Sequence, residues 1–234
     1  MAAAGPLLAL ARRMSRTLLL LTGVLLVTNA AIARPPSGDQ AWTGLDAGNQ
    51  RFVAGKPRAK DLPARRSALA KTQAPPVAVL GCSDSRVPPE LVFDEGLGDL
   101  FVVRNAGNTP DKISIGSLEY AVEHLHTTTI VVLGHTSCGA VAAACSGDKA
   151  ESANLAAVVE PIAPSCAAAK QGSATDLTLA VKDHVHRSAQ QLVASSDIIK
   201  SAVSRGEVSI IEAYYELDTG KVVRLDGGRV SARR

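Results

Sequence analysis

Cys82, His135 and Cys138 are the residues of this chain whose types and spacing point most directly to chemistry. Cys82 stands in Gly81-Cys82-Ser83-Asp84-Ser85-Arg86, and the other two in Gly134-His135-Thr136-Ser137-Cys138-Gly139. Each segment follows an apolar run, Val77 to Leu80 in the first case and Ile130 to Leu133 in the second. Two thiolates and an imidazole suit zinc, and three protein ligands with a fourth position open form a catalytic rather than a structural site. His135-x-x-Cys138 alone is a weak signal, because a cysteine taken singly is more often a small buried hydrophobe. Cys82 lies 53 positions before His135, whereas a structural finger needs a second close pair of ligands. A site of this kind has to be assembled by the fold.

Asp84 and Arg86 lie two residues apart on the same loop, so in an extended segment their side chains point to one side. A carboxylate beside a guanidinium stays ionised. Three roles are open to Asp84: partner in a loop salt bridge of small energetic worth, fourth ligand to the metal, or acceptor of a hydrogen bond from a metal-bound hydroxide.

The elements that must position these residues follow from the apolar pattern. Val77–Leu80, Leu100–Val103 and Ile130–Leu133 are too continuously apolar for a one-sided sheet and are predicted as buried strands. Between the last two, Ile115, Leu118, Val122 and Leu125 mark one face of a helix. Strand, connection, strand, helix, strand implies parallel pairing with right-handed crossovers. A helix-rich stretch from about 155 to 204 follows, with Val181, Val185, Ala189 and Leu192 at helical spacing. Val208 to Leu217 returns to strand, Asp218-Thr219-Gly220-Lys221 is a turn, and Val222 to Leu225 supplies an edge strand. Two short helices, 42–54 and 63–71, precede the first strand. The predicted fold is therefore α/β: a mainly parallel central sheet, about four parallel strands plus a C-terminal edge strand, flanked by helices and preceded by an N-terminal helical arm. In such a sheet ligands bind at the carboxyl ends of the strands. If the first and third strands are neighbours, Cys82, His135 and Cys138 meet there.

Composition sets the wider limits. A chain of 234 residues with 46% hydrophobic and 20% charged residues is a folded globular protein and neither disordered nor collagenous. Arg12, Arg13 and Arg16 account for the formal charge of +3; without them 22 basic residues face 22 acidic ones, which gives no electrostatic ground for a nucleic-acid or anionic-membrane partner. These arginines precede an apolar run within Thr17–Ala33 that ends in Ala31-Ile32-Ala33, the three-part pattern of a secretory signal. Residues 1–33 are accordingly expected to be a signal peptide, 34–40 a flexible tether and 41–234 one domain. Cleavage after Ala33 would place the protein in the periplasm with no membrane association; the alternative is a retained anchor, for which the run is near the lower length limit.

The sequence resembles the beta-class carbonic anhydrases. The resemblance is carried by Cys82 to Val87, by Asp99 to Asn108, by Gly116 to Val122 and by Gly134 to Val141, with Gly48 to Phe52 upstream and Tyr214 to Val222 downstream. It covers roughly residues 42 to 226. The resemblance implies one Zn2+ per chain with Cys82, His135 and Cys138 as permanent ligands, Asp84 as exchangeable fourth ligand and Arg86 as its partner. The implied reaction is reversible hydration of carbon dioxide to bicarbonate and a proton by a zinc-bound hydroxide, with Asp84 and Arg86 gating the fourth position. Because two thiolates formally cancel the charge of Zn2+, the metal should acidify water less than one held by three neutral histidines, and higher pH should favour the open form. The family also implies a homodimer or dimer of dimers, with the 42–54 helix reaching across to a partner. Two competing readings keep the metal: a lyase for carbon disulfide or carbonyl sulfide, and a non-catalytic zinc protein or thiol redox sensor. Asp84 and Arg86 argue against the sensor, which needs neither.

Other residues are less informative. His124 and His126 flank a helix end, and His184 and His186 are expected on a surface-exposed helix. Arg104 and Asn105 end the second strand, with a structural or a substrate role. Cys145 and Cys166 stand outside the ligand motif, either paired in an oxidising compartment or buried as thiols.

Overall fold

The computed structural model describes residues 37–225. The expected signal peptide, residues 34–36 of the expected tether and the last nine residues lie outside that range. Strands β1 (Val77–Cys82), β2 (Leu100–Asn105), β3 (Thr129–His135), β4 (Ser209–Tyr215) and β5 (Val222–Arg224) form one sheet in the order β2-β1-β3-β4-β5. The first four are parallel and β5 runs antiparallel to β4. The predicted four parallel strands and C-terminal edge strand are therefore present, and β1 and β3 are direct neighbours, with Gly81 opposite Leu133. Every residue of β1 and β3 is buried, as their unbroken apolar runs require.

Alternation along these strands sends side chains to two separate cores. On one face Ala78, Leu80, Ile130 and Val132 pack against helix α4 (Lys112–Leu125), helix α8 (Leu177–Ser195) and helix α9 (Asp197–Ser204). On the other, Val77, Val79, Val131, Leu133, Ile211 and Ala213 pack against helix α1 (Gly38–Val53) and the segment of Val87, Val92 and Phe93 that contains the short helix α3 (Pro89–Val92). Asp111 caps α4 in a box with Ser114, and His126, in the left-handed region at φ 57°, ends it. Gly134 in β3 lets α8 lie close, since a Cβ there would stand 2.5 Å from Val185 Cγ2.

Helix α1 begins at Gly38, inside the segment read as tether and ahead of the expected Trp42, because Ser37 and Gln40 form a capping box. The helix is seated on its own chain. Asn49 donates to Val92 O and Gly220 O and accepts from Val222 N, and a Cβ on Gly48 would fall 1.9 Å from Phe93 O. A buried asparagine satisfied three times by backbone from distant parts of the chain anchors the helix here. Helix α2 (Leu62–Ala68) follows. Arg51, Arg58 and Lys60 converge on buried Asp94, tying the arm to the segment that follows α3.

Helix α5 (Gly139–Ser146) precedes the expected helix-rich stretch, which consists of α6 (Ala153–Val159), α7 (Ala163–Ala168), a small hairpin of 170–171 with 174–175, and then α8 and α9. Cys145 and Cys166 are disulfide-bonded, joining α5 to α7. Among the described residues, no helix is long and apolar enough to cross a membrane.

Candidate metal centre

Cys82 is the last residue of β1, His135 the last of β3, and Cys138 caps the start of α5. The parallel register of adjacent strands brings the first two together, and the tight turn through Ser137, at φ 53°, returns the third. Thr136 pins that turn to the end of β4: its N–H donates to Tyr215 O, and its hydroxyl accepts from Leu217 N at 2.9 Å. The three ligand atoms lie within 4.8 Å of one another, and all three residues are buried.

The donor set fits zinc on observations internal to the structure. Two sulfurs bound tetrahedrally at about 2.3 Å each stand about 3.8 Å apart; Cys82 Sγ and Cys138 Sγ are 4.0 Å apart. His135 Nδ1 donates to Thr136 O at 2.8 Å, which leaves Nε2 as the lone-pair nitrogen. That Nε2 is buried with no hydrogen-bond partner among the described residues, an expensive arrangement unless a cation takes the lone pair. The Cys138 thiol hydrogen-bonds Cys82 and, with His135 and the Gly107 N–H at 3.3 Å, holds the Cys82 pKa well below the usual thiol range against the opposing effect of burial. The same contact, together with burial, pushes Cys138 upward. Burial would depress His135, yet Cys82 and Asp84 raise it. The field here favours positive charge.

Asp84 and Arg86 meet as the loop spacing predicted. Arg86 Nε and Nη2 donate to Asp84 Oδ1 and Oδ2 at 2.9 and 2.7 Å, and the Arg86 N–H donates to Oδ1 at 2.9 Å. The Arg86 side-chain hydrogen bond holds the Asp84 carboxyl well below the usual carboxylate range, with burial opposing it. Asp84 Oδ2 nevertheless stands 3.9 Å from His135 Nε2. Arg86 also reaches Ser137 O at 3.3 Å, so one half-exposed guanidinium spans both ligand-bearing loops.

Other residues take structural places. Arg104 donates to Cys82 O at 2.7 Å and to Asp84 O at 2.5 Å, and Asn105 clamps the backbone of Thr109 through both amide atoms. His124 packs on Tyr120 with ring centroids 5.1 Å apart. His184 is buried, which corrects the surface position expected for it, and His186 is paired with buried Glu212. Sequence reasoning missed Gly107 as a hydrogen-bond donor to Cys82 and His184 as its neighbour; a glycine just after a strand that ends beside the ligands was the available signal.

The carbonic anhydrase family model matches residues 77–222, which contain all five predicted site residues. Carbonic anhydrase 2 of Mycobacterium tuberculosis is 40% identical over 190 residues, covering 80% of this chain and 92% of its own. Among solved structures, the Coccomyxa beta-carbonic anhydrase in complex with acetazolamide superposes with a TM-score of 0.65 at 31% identity, over 75% of this chain and 82% of that one. One of the tetrameric beta-carbonic anhydrases of Sordaria macrospora gives 0.64 at 26% identity, over 77% and 94%. The match spans the sheet and both ligand-bearing strand ends rather than a local motif, so this chain belongs to the beta-class carbonic anhydrases, a family of zinc-dependent lyases.

Proposed function

We propose that this carbonic anhydrase holds one Zn2+ per chain on Cys82, His135 and Cys138 and carries out reversible hydration of carbon dioxide there, with Asp84 and Arg86 gating the fourth position. The observation that carries the reading is the buried, partnerless His135 Nε2 facing two cysteine sulfurs. When bound, zinc supplies the Lewis acidity that makes water a nucleophile near neutral pH. The chain's own residues do the rest. Thr136 O fixes the His135 tautomer, and Arg104 holds the backbone of the Cys82–Asp84 loop. Arg86 turns the Asp84 carboxylate toward itself. Ionised Asp84 accepts hydrogen bonds and donates none, so Oδ2 can hold an attacking O–H group.

The substrate is a neutral small molecule and the product an anion; half-exposed Arg86 suits entry of that anion when the reaction runs in reverse. Export to the periplasm after removal of the signal peptide is part of the proposal, supported by the Cys145–Cys166 disulfide, a bond favoured in oxidising compartments. A homodimer or dimer of dimers is also proposed: the Sordaria relatives are described as tetrameric, and β2 pairs with β1 alone among the described residues.

The test is metal analysis together with carbon dioxide hydration at pH about 8.5, where nucleophilic hydroxide predominates. About one zinc per chain with fast hydration is expected. Zinc without hydration would overturn the reaction, and a panel with carbon disulfide and carbonyl sulfide would then identify the substrate.

A further inference from the structure

One buried histidine is not used by the chemistry above. His184, 3% exposed on α8, places Nε2 at 2.8 Å from Gly107 O, 3.2 Å from Thr109 Oγ1 and 3.5 Å from Ser188 Oγ. A carbonyl oxygen can only accept, so Nε2 carries the proton and donates to Gly107. Nδ1 is left as a buried lone pair without a partner. Burial pushes the imidazole pKa down, which keeps it neutral.

Gly107 needs such an anchor. It lies in the left-handed region at φ 80°, and a Cβ there would meet Ile162 Cδ1 at 2.7 Å and Ala140 Cβ at 3.2 Å. Asn108 follows at φ 47°. Two successive left-handed residues persist only where the surroundings hold them. Asn105 grips Thr109 on the far side of this turn, and His184 grips the Gly107 carbonyl. Held this way, the Gly107 N–H points at Cys82 Sγ, 3.3 Å away.

We infer that His184 is a positioning residue for the metal centre: by anchoring the Gly107 carbonyl it aims the Gly107 N–H at the Cys82 sulfur and so tunes that ligand. An N–H···S hydrogen bond draws electron density from a thiolate. Two thiolates formally neutralise Zn2+, and a hydrogen bond to one of them restores part of the Lewis acidity they remove. The inference rests on the zinc reading above.

The experiment compares wild type, His184→Leu and His184→Gln, each loaded with cobalt(II) in place of zinc, at a temperature where circular dichroism shows all three folded. The readouts are the thiolate-to-cobalt charge-transfer band and the zinc Kd by chelator competition. His184→Leu is expected to shift the band and to weaken zinc about 10-fold, the lower end of outer-shell effects. His184→Gln, whose amide can donate to Gly107 O, should return both readouts toward wild type. A leucine variant that merely melts earlier, with band and Kd unchanged, would overturn the inference, as would a glutamine variant no better than leucine. In wild type loaded with NMR-active cadmium, coupling between the metal and the Gly107 amide proton is expected; its absence overturns the inference even if the leucine variant does not fold. Wild type that binds no zinc would instead overturn the zinc reading itself.

Discussion

Cys82 and Arg86 stand only four positions apart, yet removing them should have opposite effects on the metal. Cys82→Ser replaces a thiolate by a weakly acidic hydroxyl and is expected to abolish stoichiometric zinc in metal analysis. Arg86→Ala and Asp84→Ala leave the three buried donors in place, so zinc should stay at about one per chain while hydration falls about 10- to 100-fold. Full activity in Asp84→Ala would exclude the gating role. Because Arg86 depresses the Asp84 pKa, the pair stays ionised throughout the neutral range, and a rise of activity from mildly acidic to alkaline pH cannot come from Asp84 titrating. Cys82, Asp84, Arg86, His135 and Cys138 were legible in the sequence because each lies at, or within four positions after, the end of an apolar strand. His184 was harder to read. Its contact with Gly107 joins positions far apart in the chain, which spacing alone does not show. Its burial, however, was readable: Val181, His184, Val185, Ser188 and Ala189 share one helical face, and all are buried.

At the scale of elements, β1, β2 and β3 were readable from continuous apolar runs, although β2, with a strand on one side only among the described residues, is half-buried and not fully covered as those runs suggest. Strand β4 was readable from the alternation of Ile211, Ala213 and Tyr215 with Glu212 and Tyr214. The start of α1 was not, since the capping box of Ser37 and Gln40 lies in a Pro-, Ser- and Gly-rich stretch that reads as a linker. The attachment of that helix gives a pH prediction. Asp94 is nearly fully buried; burial pushes its pKa up, but hydrogen bonds from Lys60, Arg58 N and Arg51 outweigh this and hold it below the ordinary range. A depressed folded pKa contributes stability above the unfolded value near 4 and loses it as pH falls through the folded value. Asp94→Asn should therefore cost about 1–3 kcal/mol at pH 7, and the gap to wild type in urea denaturation should close progressively below about pH 4. The link between α5 and α7 gives another prediction. Cys145 and Cys166 are 21 positions apart, and closing a loop of this length is worth about 3 kcal/mol. The double serine variant should lose about that much in urea denaturation while keeping its zinc. Loss of zinc as well would mean that the bond also shapes the ligand loop.

For the whole molecule, the sheet order was foreseeable only as a condition: the ligands meet if the first and third strands are neighbours, and the observed order makes them so. The oligomer was not readable from one chain, because the edge of β2 says where pairing is open and not what fills it. The sulfur positions also bear on how the protein is made. Four cysteines allow three complete pairings; this molecule uses one bond, Cys145–Cys166, and leaves Cys82 and Cys138 unjoined with sulfurs 4.0 Å apart. The closeness that lets two sulfurs grip one metal also lets them bond to each other, since the gap has only to shrink to about 2 Å. Biogenesis is thus a race in which zinc has to reach this pair before an oxidant does. Refolding reduced chain in air with zinc present should yield active protein, whereas zinc added after oxidation should not until a mild reductant reopens the Cys82–Cys138 pair. Equal recovery in either order would show that the folded scaffold keeps the two sulfurs apart unaided.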